Sequence, residues 1–182
     1  MANNHGYISS MHTVCTNVDA YTCAGIATED LDNGVVVTLK KISQESNKDI
    51  NGFEFEVAKG SAATTYADAW VVNNAEAGTK NLEAQLFSDP RYYYTPAGEP
   101  LHLEKYQADV DCIEADKNTF ANATLPTSEK YVIVGANGKY EATNSKPAAG
   151  IIYWDIMGFN HVAVGNQDMK TVVLRTRVSA GA

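Results

Sequence analysis

Apolar residues along this chain recur in short bursts, often at every second position, and turn dipeptides separate the bursts, which is the pattern of a β-rich protein. Three dipeptides, Asn33-Gly34, Asn51-Gly52 and Asn137-Gly138, are each followed by residues that favour strands. Glycine adopts positive φ without steric cost and asparagine tolerates it better than most, so each dipeptide can close a tight turn. The clearest case is Ile26 to Leu39, I-A-T-E-D-L-D-N-G-V-V-V-T-L, in which an acidic lead-in and a turn run into the β-branched stretch Val35-Val36-Val37-Thr38. Phe53-Glu54-Phe55-Glu56-Val57 alternates apolar and acidic residues and predicts a strand with one wet face. Ala69-Trp70-Val71-Val72, bounded by Asn73-Asn74, predicts a more buried one.

The last third predicts a hairpin, Tyr131 to Val134 and Lys139 to Ala142 around Asn137-Gly138, then an apolar strand over Ile151 to Ile156. A closing strand, Thr171 to Val178, is long enough to dock the C-terminus inside a sheet. Thr79 to Phe87 fits a short helix, with Leu82 and Leu86 four apart and Glu83 near its start, or a strand. Pro90, Pro96 and Pro100 make Asp89 to Pro100 a shaped loop. Alternation then resumes, with Leu101 and Leu103 opposite His102 and Glu104, and Val110 and Cys112 opposite Asp109 and Asp111. Residues 1–25 are rich in Asn, Ser, Thr and Gly and show no sustained period. The expected fold is mainly β: a compact β-barrel or β-sandwich-like domain over residues 26–182, an irregular N-terminal arm over residues 1–25, and at most one or two short helices.

A chain of 182 residues suits one domain, and a domain of this size buries roughly 70% of its unfolded surface. The net charge of −8 disfavours nucleic acid, because phosphate affinity comes from Lys and Arg releasing counterions. No window reaches the about 18 consecutive apolar residues that a membrane helix needs, so no membrane partner is expected. The start, Met1-Ala2-Asn3-Asn4-His5-Gly6, lacks the basic and apolar regions of a secretory signal. The protein is therefore expected to act where it is made or in a particle built there, and the Asn122-Ala123-Thr124 sequon to be coincidental. Cys15, Cys23 and Cys112 are an odd set without metal-knuckle spacing and read as buried, inert thiols.

Motifs for nucleophilic, metal-dependent or nucleotide chemistry are absent: there is no H-E-x-x-H, G-x-S-x-G, Walker A loop or strand-linked G-x-G-x-x-G. His102 with Glu104, or Asp109 with Asp111, could share a strand face and hold a cation, but alternation of a solvated face explains both pairs. As catalytic carboxylates the aspartates would lie about 6.5 to 7 Å apart along a strand, without a cleft to separate their pKa values. The expectation is no catalytic residue, no metal and no cofactor. The one patch suited to binding is Tyr92-Tyr93-Tyr94 beside the prolines, whose rings either face a partner or pin the loop to its own core. Together with His12 in the arm, these tyrosines are the contact candidates.

Thr16 to Tyr21, T-N-V-D-A-Y, followed by Ile26 to Leu39, resembles the N-terminal part of small structural proteins of tailed phages, the capsid decoration or auxiliary head proteins. Phe87 to Val110, F-S-D-P-R-Y-Y-Y-T-P-A-G-E-P-L-H-L-E-K-Y-Q-A-D-V, is similar to that family's A-G-x-P-x-R-x-Y-x-L-x-x-G-D pattern, with His102 in the basic position and Ala108-Asp109 echoing the Gly-Asp. The two regions cover about a quarter of the chain. The resemblance implies a non-enzymatic virion component on the capsid exterior, made in the host bacterial cytoplasm. Its implied partners are the major capsid protein and neighbouring copies of itself, so a homo-oligomer on the lattice is possible. It maps no catalytic residue. Net negative charge keeps free copies apart and suits the outside of a DNA-filled shell. A tail-tube, neck or head-fibre subunit shares the same profile, and a carbohydrate-binding module would use the tyrosines with Trp70 or Trp154 as a stacking platform.

Overall fold

A computed structural model of the protein describes residues 5–12, 19–42, 54–74, 90–164 and 167–180. The described strands are β1 (Ile8–His12), β2 (Thr22–Ile26), β3 (Val36–Ile42), β4 (Phe55–Lys59), β5 (Ala69–Val72), β6 (Pro100–Glu104), β7 (Cys112–Ala115), β8 (Tyr131–Val134), β9 (Tyr140–Thr143), β10 (Ile152–Val164) and β11 (Gln167–Val178). Five of them close a barrel in the order β2-β4-β3-β5-β6, with β6 returning to β2. The other six form an antiparallel sheet, β1-β7-β11-β10-β8-β9. The mainly β expectation holds. Helical structure among the described residues is confined to three-residue 3-10 turns, and none is long and apolar enough to cross a membrane. The Thr79 to Phe87 segment and the Asn51-Gly52 turn lie outside the described residues.

The valine run explains how barrel and sheet join. Val35 and Val37 point into the barrel core with Leu31, Val57, Val72, Leu101 and Leu103. Val36 points the other way, into the core beneath the sheet with Val71, Ile113, Val132, Trp154 and Leu174. A strand buried on both faces shows no alternation, so three consecutive valines are what this position demands. In the sheet core Tyr140 lies 4.9 Å from Trp154 and meets Phe120 edge-on at 5.8 Å. The β8–β9 turn sits against the barrel: Gly138 has φ +71°, and a Cβ there would lie 2.3 Å from the Val36 carbonyl oxygen.

Three expectations need correction. Residues 1–25 are not an irregular arm over their described part, because Ile8–His12 pairs with β7 and Thr22–Ile26 is a barrel strand. Ile8-Ser9-Ser10-Met11-His12 has no alternating apolar pattern in its sequence, and antiparallel backbone pairing with β7 makes it a strand. Second, Asp109 and Asp111 do not share a strand face. Asp109 has φ +68° in a turn, and β7 begins only at Cys112. Asp111 is fully buried, where it accepts a 2.6 Å hydrogen bond from the Gln107 N–H, while Val110 is 58% exposed. Third, the last two strands extend well beyond Ile156 and Thr171, into one long hairpin.

Candidate interaction surface

The proline and tyrosine loop packs at the junction of barrel and sheet. Pro90–Tyr92 makes a single 3-10 turn. Tyr93 then turns inward and is only 5% exposed, with its hydroxyl 3.5 Å from the Thr95 Oγ1. Tyr94 stacks on His5 with ring centroids 4.7 Å apart. His5 Nδ1 lies 2.7 Å from Asp32 Oδ1, and Lys139 Nζ lies 3.1 Å from the other oxygen of the same carboxylate. Burial acts to raise the Asp32 pKa, but the His5 hydrogen bond and the Lys139 charge outweigh it and hold the carboxyl below its ordinary value. The His5 N–H donates to the Arg91 carbonyl at 3.3 Å, and the Asn118 amide donates to the His5 carbonyl at 3.2 Å.

The next residues are held as firmly. Asp116 accepts from the Tyr7 N–H at 3.0 Å and from the Asn118 and Thr119 N–H groups at 3.1 and 3.3 Å. Its own N–H donates to the Tyr7 carbonyl at 3.0 Å. Burial pushes its carboxyl up to about 6, against the pull of those hydrogen bonds and of the Arg91 charge. Asn33, the turn residue of the N-G dipeptide, exchanges side-chain hydrogen bonds with the Asn74 backbone at 3.0 and 2.9 Å. Asn74 in turn donates to Thr95 Oγ1 at 2.7 Å. Loop and N-terminal segment are thus parts of one clamp across the two cores. Of the contact candidates, Tyr93 is removed from the surface, and Tyr92 and Tyr94 are half-buried. His12 ends β1 opposite Cys112, and its side chain lies outside the described residues.

The groups considered for chemistry are placed apart. Asp109 is exposed and pairs with Arg177, which also donates to Asp155 Oδ2 at 2.6 Å. His102 Nε2 lies 3.6 Å from Glu104 Oε1, but Glu104 is 1% exposed and receives the Asn73 amide at 2.9 Å. Among the described residues no group of three or more His, Cys, Asp or Glu is arranged to hold a metal. Cys23 borders an open depression of roughly 490 Å³ with Thr22, Asn74 and His102. Burial raises its thiol above the ordinary value, which disfavours a nucleophilic thiolate. Neither tryptophan offers an open stacking face: Trp154 is fully buried, and Lys105 Nζ lies 5.4 Å from the ring centroid of half-buried Trp70.

The feature that sequence reasoning missed is the β10–β11 ribbon. On one side β8 pairs with Tyr153, Trp154 and Asp155 only; on the other β7 pairs with residues 172–175 of β11. Among the described strands, Asn160 to Val164 and Gln167 to Thr171 pair only with each other. Met157 and Phe159 are 55% and 44% exposed at the root of this extension. Lys170 lies over the Phe159 ring at 4.5 Å, and His161 bonds Asp168 at 2.7 Å. On the opposite face Asn160 donates to Glu114 Oε1 at 2.9 Å and ties the root to β7. The signal in the sequence was the Gly165-Asn166 dipeptide, a turn cue between Val162-Ala163-Val164 and the run that ends in Thr171-Val172-Val173.

No family model, curated protein or solved structure matches this chain. Its candidate surfaces therefore rank by exposure and geometry. The ribbon presents exposed apolar side chains and strand edges with no partner among the described residues, whereas the tyrosine loop is largely spent on holding the fold together.

Proposed function

We propose that this protein is a non-enzymatic virion structural protein that decorates and stabilises the outer surface of a tailed-phage capsid by binding the major capsid protein. The observation that carries the reading is the way the two segments of family resemblance lie together. Ile26 to Leu39 and Phe87 to Val110 are far apart in sequence, yet their described parts form one substructure. Ile26 pairs with Pro100. The Ala27 N–H donates to the Glu99 carbonyl at 3.0 Å, and Leu31 and Thr95 exchange hydrogen bonds at 2.9 and 2.8 Å. The Ala97 N–H donates to Asp30 Oδ1 at 3.0 Å. Residues that must fit each other are expected to carry a shared pattern together.

The physical profile supports the same role. A decoration protein must fold alone, stay dispersed before assembly and then bind a repeating lattice. Two cores supply the stability, and the charge of −8 supplies dispersion and repulsion from packaged DNA. Modest contacts gain avidity when a lattice presents many sites at once. Mass spectrometry of purified particles from the encoding phage or prophage, with copy number from calibrated peptide intensities, tests the proposal. Hundreds of copies per particle are expected for a decorating protein. Absence from particles would overturn the virion role, and a copy number matching a single ring would replace decoration with a neck or tail position.

A further inference from the structure

We infer that residues 159–163 of β10 are a strand-edge docking surface for a second copy of this chain, paired antiparallel about a two-fold axis at His161. The edge itself is the first observation. β8 covers this side of β10 only as far as Asp155, with one further hydrogen bond from the Ile156 N–H to the Lys130 carbonyl. Beyond that point no other described strand pairs with β10 on that side. A free strand edge is a template for another strand, and soluble proteins blunt such edges with charge, proline, bulges or brevity. The other edges here are blunted. β9 is four residues long, carries Glu141 and is followed by Lys146-Pro147. β1 is short and its register breaks between Ser9 and His12. The β11 half of the ribbon carries Asp168 and Lys170. Phe159-Asn160-His161-Val162-Ala163 has no Asp, Glu, Lys, Arg or proline and an unbroken register with β11; its one titratable residue, His161, bonds Asp168 of β11.

Charge and side-chain size select the occupant. The whole chain carries −8, but from Ile156 to Thr171 the only Asp, Glu, Lys or Arg residues are Asp168 and Lys170, which cancel. Two acidic copies therefore meet least repulsion at their ribbons. With the axis at His161, Phe159 of each copy faces Ala163 of the other and Asn160 faces Val162, so a large ring lies beside a methyl group. With that axis the second copy's β10, which ends at Val164, lies opposite Gly158, and the lane is occupied only from Ile156, whose N–H meets the Lys130 carbonyl, so the second strand stops short of the sheet. A two-stranded ribbon is only marginally stable by itself, and addition of strands on its free edge supplies missing backbone partners. An interface this small is weak in dilute solution and strengthens where copies are already held side by side. The inference rests on the ribbon alone and is tested without particles, so it stands or falls separately from the virion reading.

The experiment uses the purified full chain. Sedimentation velocity from micromolar to millimolar concentration is expected to show the average mass rising from 19.7 kDa toward twice that value. Ala163→Lys, at an exposed position, is expected to abolish the rise without changing the melting temperature. His161→Cys is expected to form an interchain disulfide under mild oxidation, since directly opposed residues have Cβ atoms about 4.5–5.5 Å apart. Ala163→Cys is not, because its two copies lie four residues out of register, roughly 13 Å. The wild-type chain, with Cys15, Cys23 and Cys112, is run in parallel and every cross-link is mapped by peptide mass. A monomer at millimolar concentration with no His161→Cys cross-link would overturn the proposal. Cross-linking of Ala163→Cys in preference to His161→Cys would overturn the two-fold axis.

Discussion

Two aromatic residues of strand β10, Trp154 and Phe159, lie five positions apart in opposite circumstances. Trp154 has no exposed surface, lies against Tyr140 and is flanked by both β8 and β11. Phe159 is 44% exposed, with a lysine over its ring and, among the described residues, a strand on one side only. One continuous strand thus serves the core at its first half and presents surface at its second. Gly158, at a break in the register between Ile156 and Gly158, marks the change. The difference separates residues that hold the fold from residues free to meet a partner.

The largest test of that division is Trp154→Ala. Removing a fully buried indole from the sheet core is expected to cost about 3–5 kcal/mol, read from urea unfolding. A loss no larger than that of an exposed residue would place Trp154 outside the core. The next test asks whether the base of the sheet is locked by the N-terminal segment through Asp116. Its carboxyl is raised from an ordinary 3.8 to about 6, so the folded chain binds this proton better than the unfolded chain. Its contribution is full below about pH 4 and is lost as pH rises through about 6, by at most about 3 kcal/mol. Asp116→Asn keeps an acceptor for the Tyr7, Asn118 and Thr119 N–H groups and does not ionise. Its stability relative to wild type is therefore expected to improve between about pH 4.5 and about pH 7.5. Asp32, whose pKa is lowered, loses its contribution as pH falls through its folded value, but does so in both proteins and cancels. A difference independent of pH would contradict the buried, ionisable role of Asp116. The smallest effect is expected on the ribbon: Phe159→Ala removes one exposed cation–π contact and is expected to cost about 0.5–1 kcal/mol. A cost comparable to that of Trp154→Ala would erase the contrast between the two halves.

What was legible in the sequence is what local chemistry decides. The Asn137-Gly138 hairpin, the buried strand at Ala69–Val72 and the Leu101 and Leu103 face follow from turn chemistry and side-chain period, and the structure has them. Long-range partners were not legible. Tyr7 meets Asp116 across 109 positions and Asn33 meets Asn74 across 41, so an unpatterned N-terminus reads as an arm although its backbone is paired. Asp109 and Asp111 mislead in the opposite way: an alternating pattern lies on a turn with positive φ, where alternation has no facial meaning. The tyrosine run carried two readings, and the fold divides them, burying Tyr93 and leaving Tyr92 and Tyr94 half-buried. The ribbon was missed because its strands were bounded by their apolar halves, whereas exposed strand needs only backbone pairing and a turn.

The contrast within β10 is tested most directly by amide hydrogen exchange on the full-length chain at micromolar and at millimolar concentration. At low concentration the amides of Ile152 to Asp155 are expected to exchange slowly. Those of Phe159 to Ala163 that point away from β11 should exchange fast and become protected only at high concentration. Protection of those outward amides already at low concentration, equal to that around Trp154, would contradict the account.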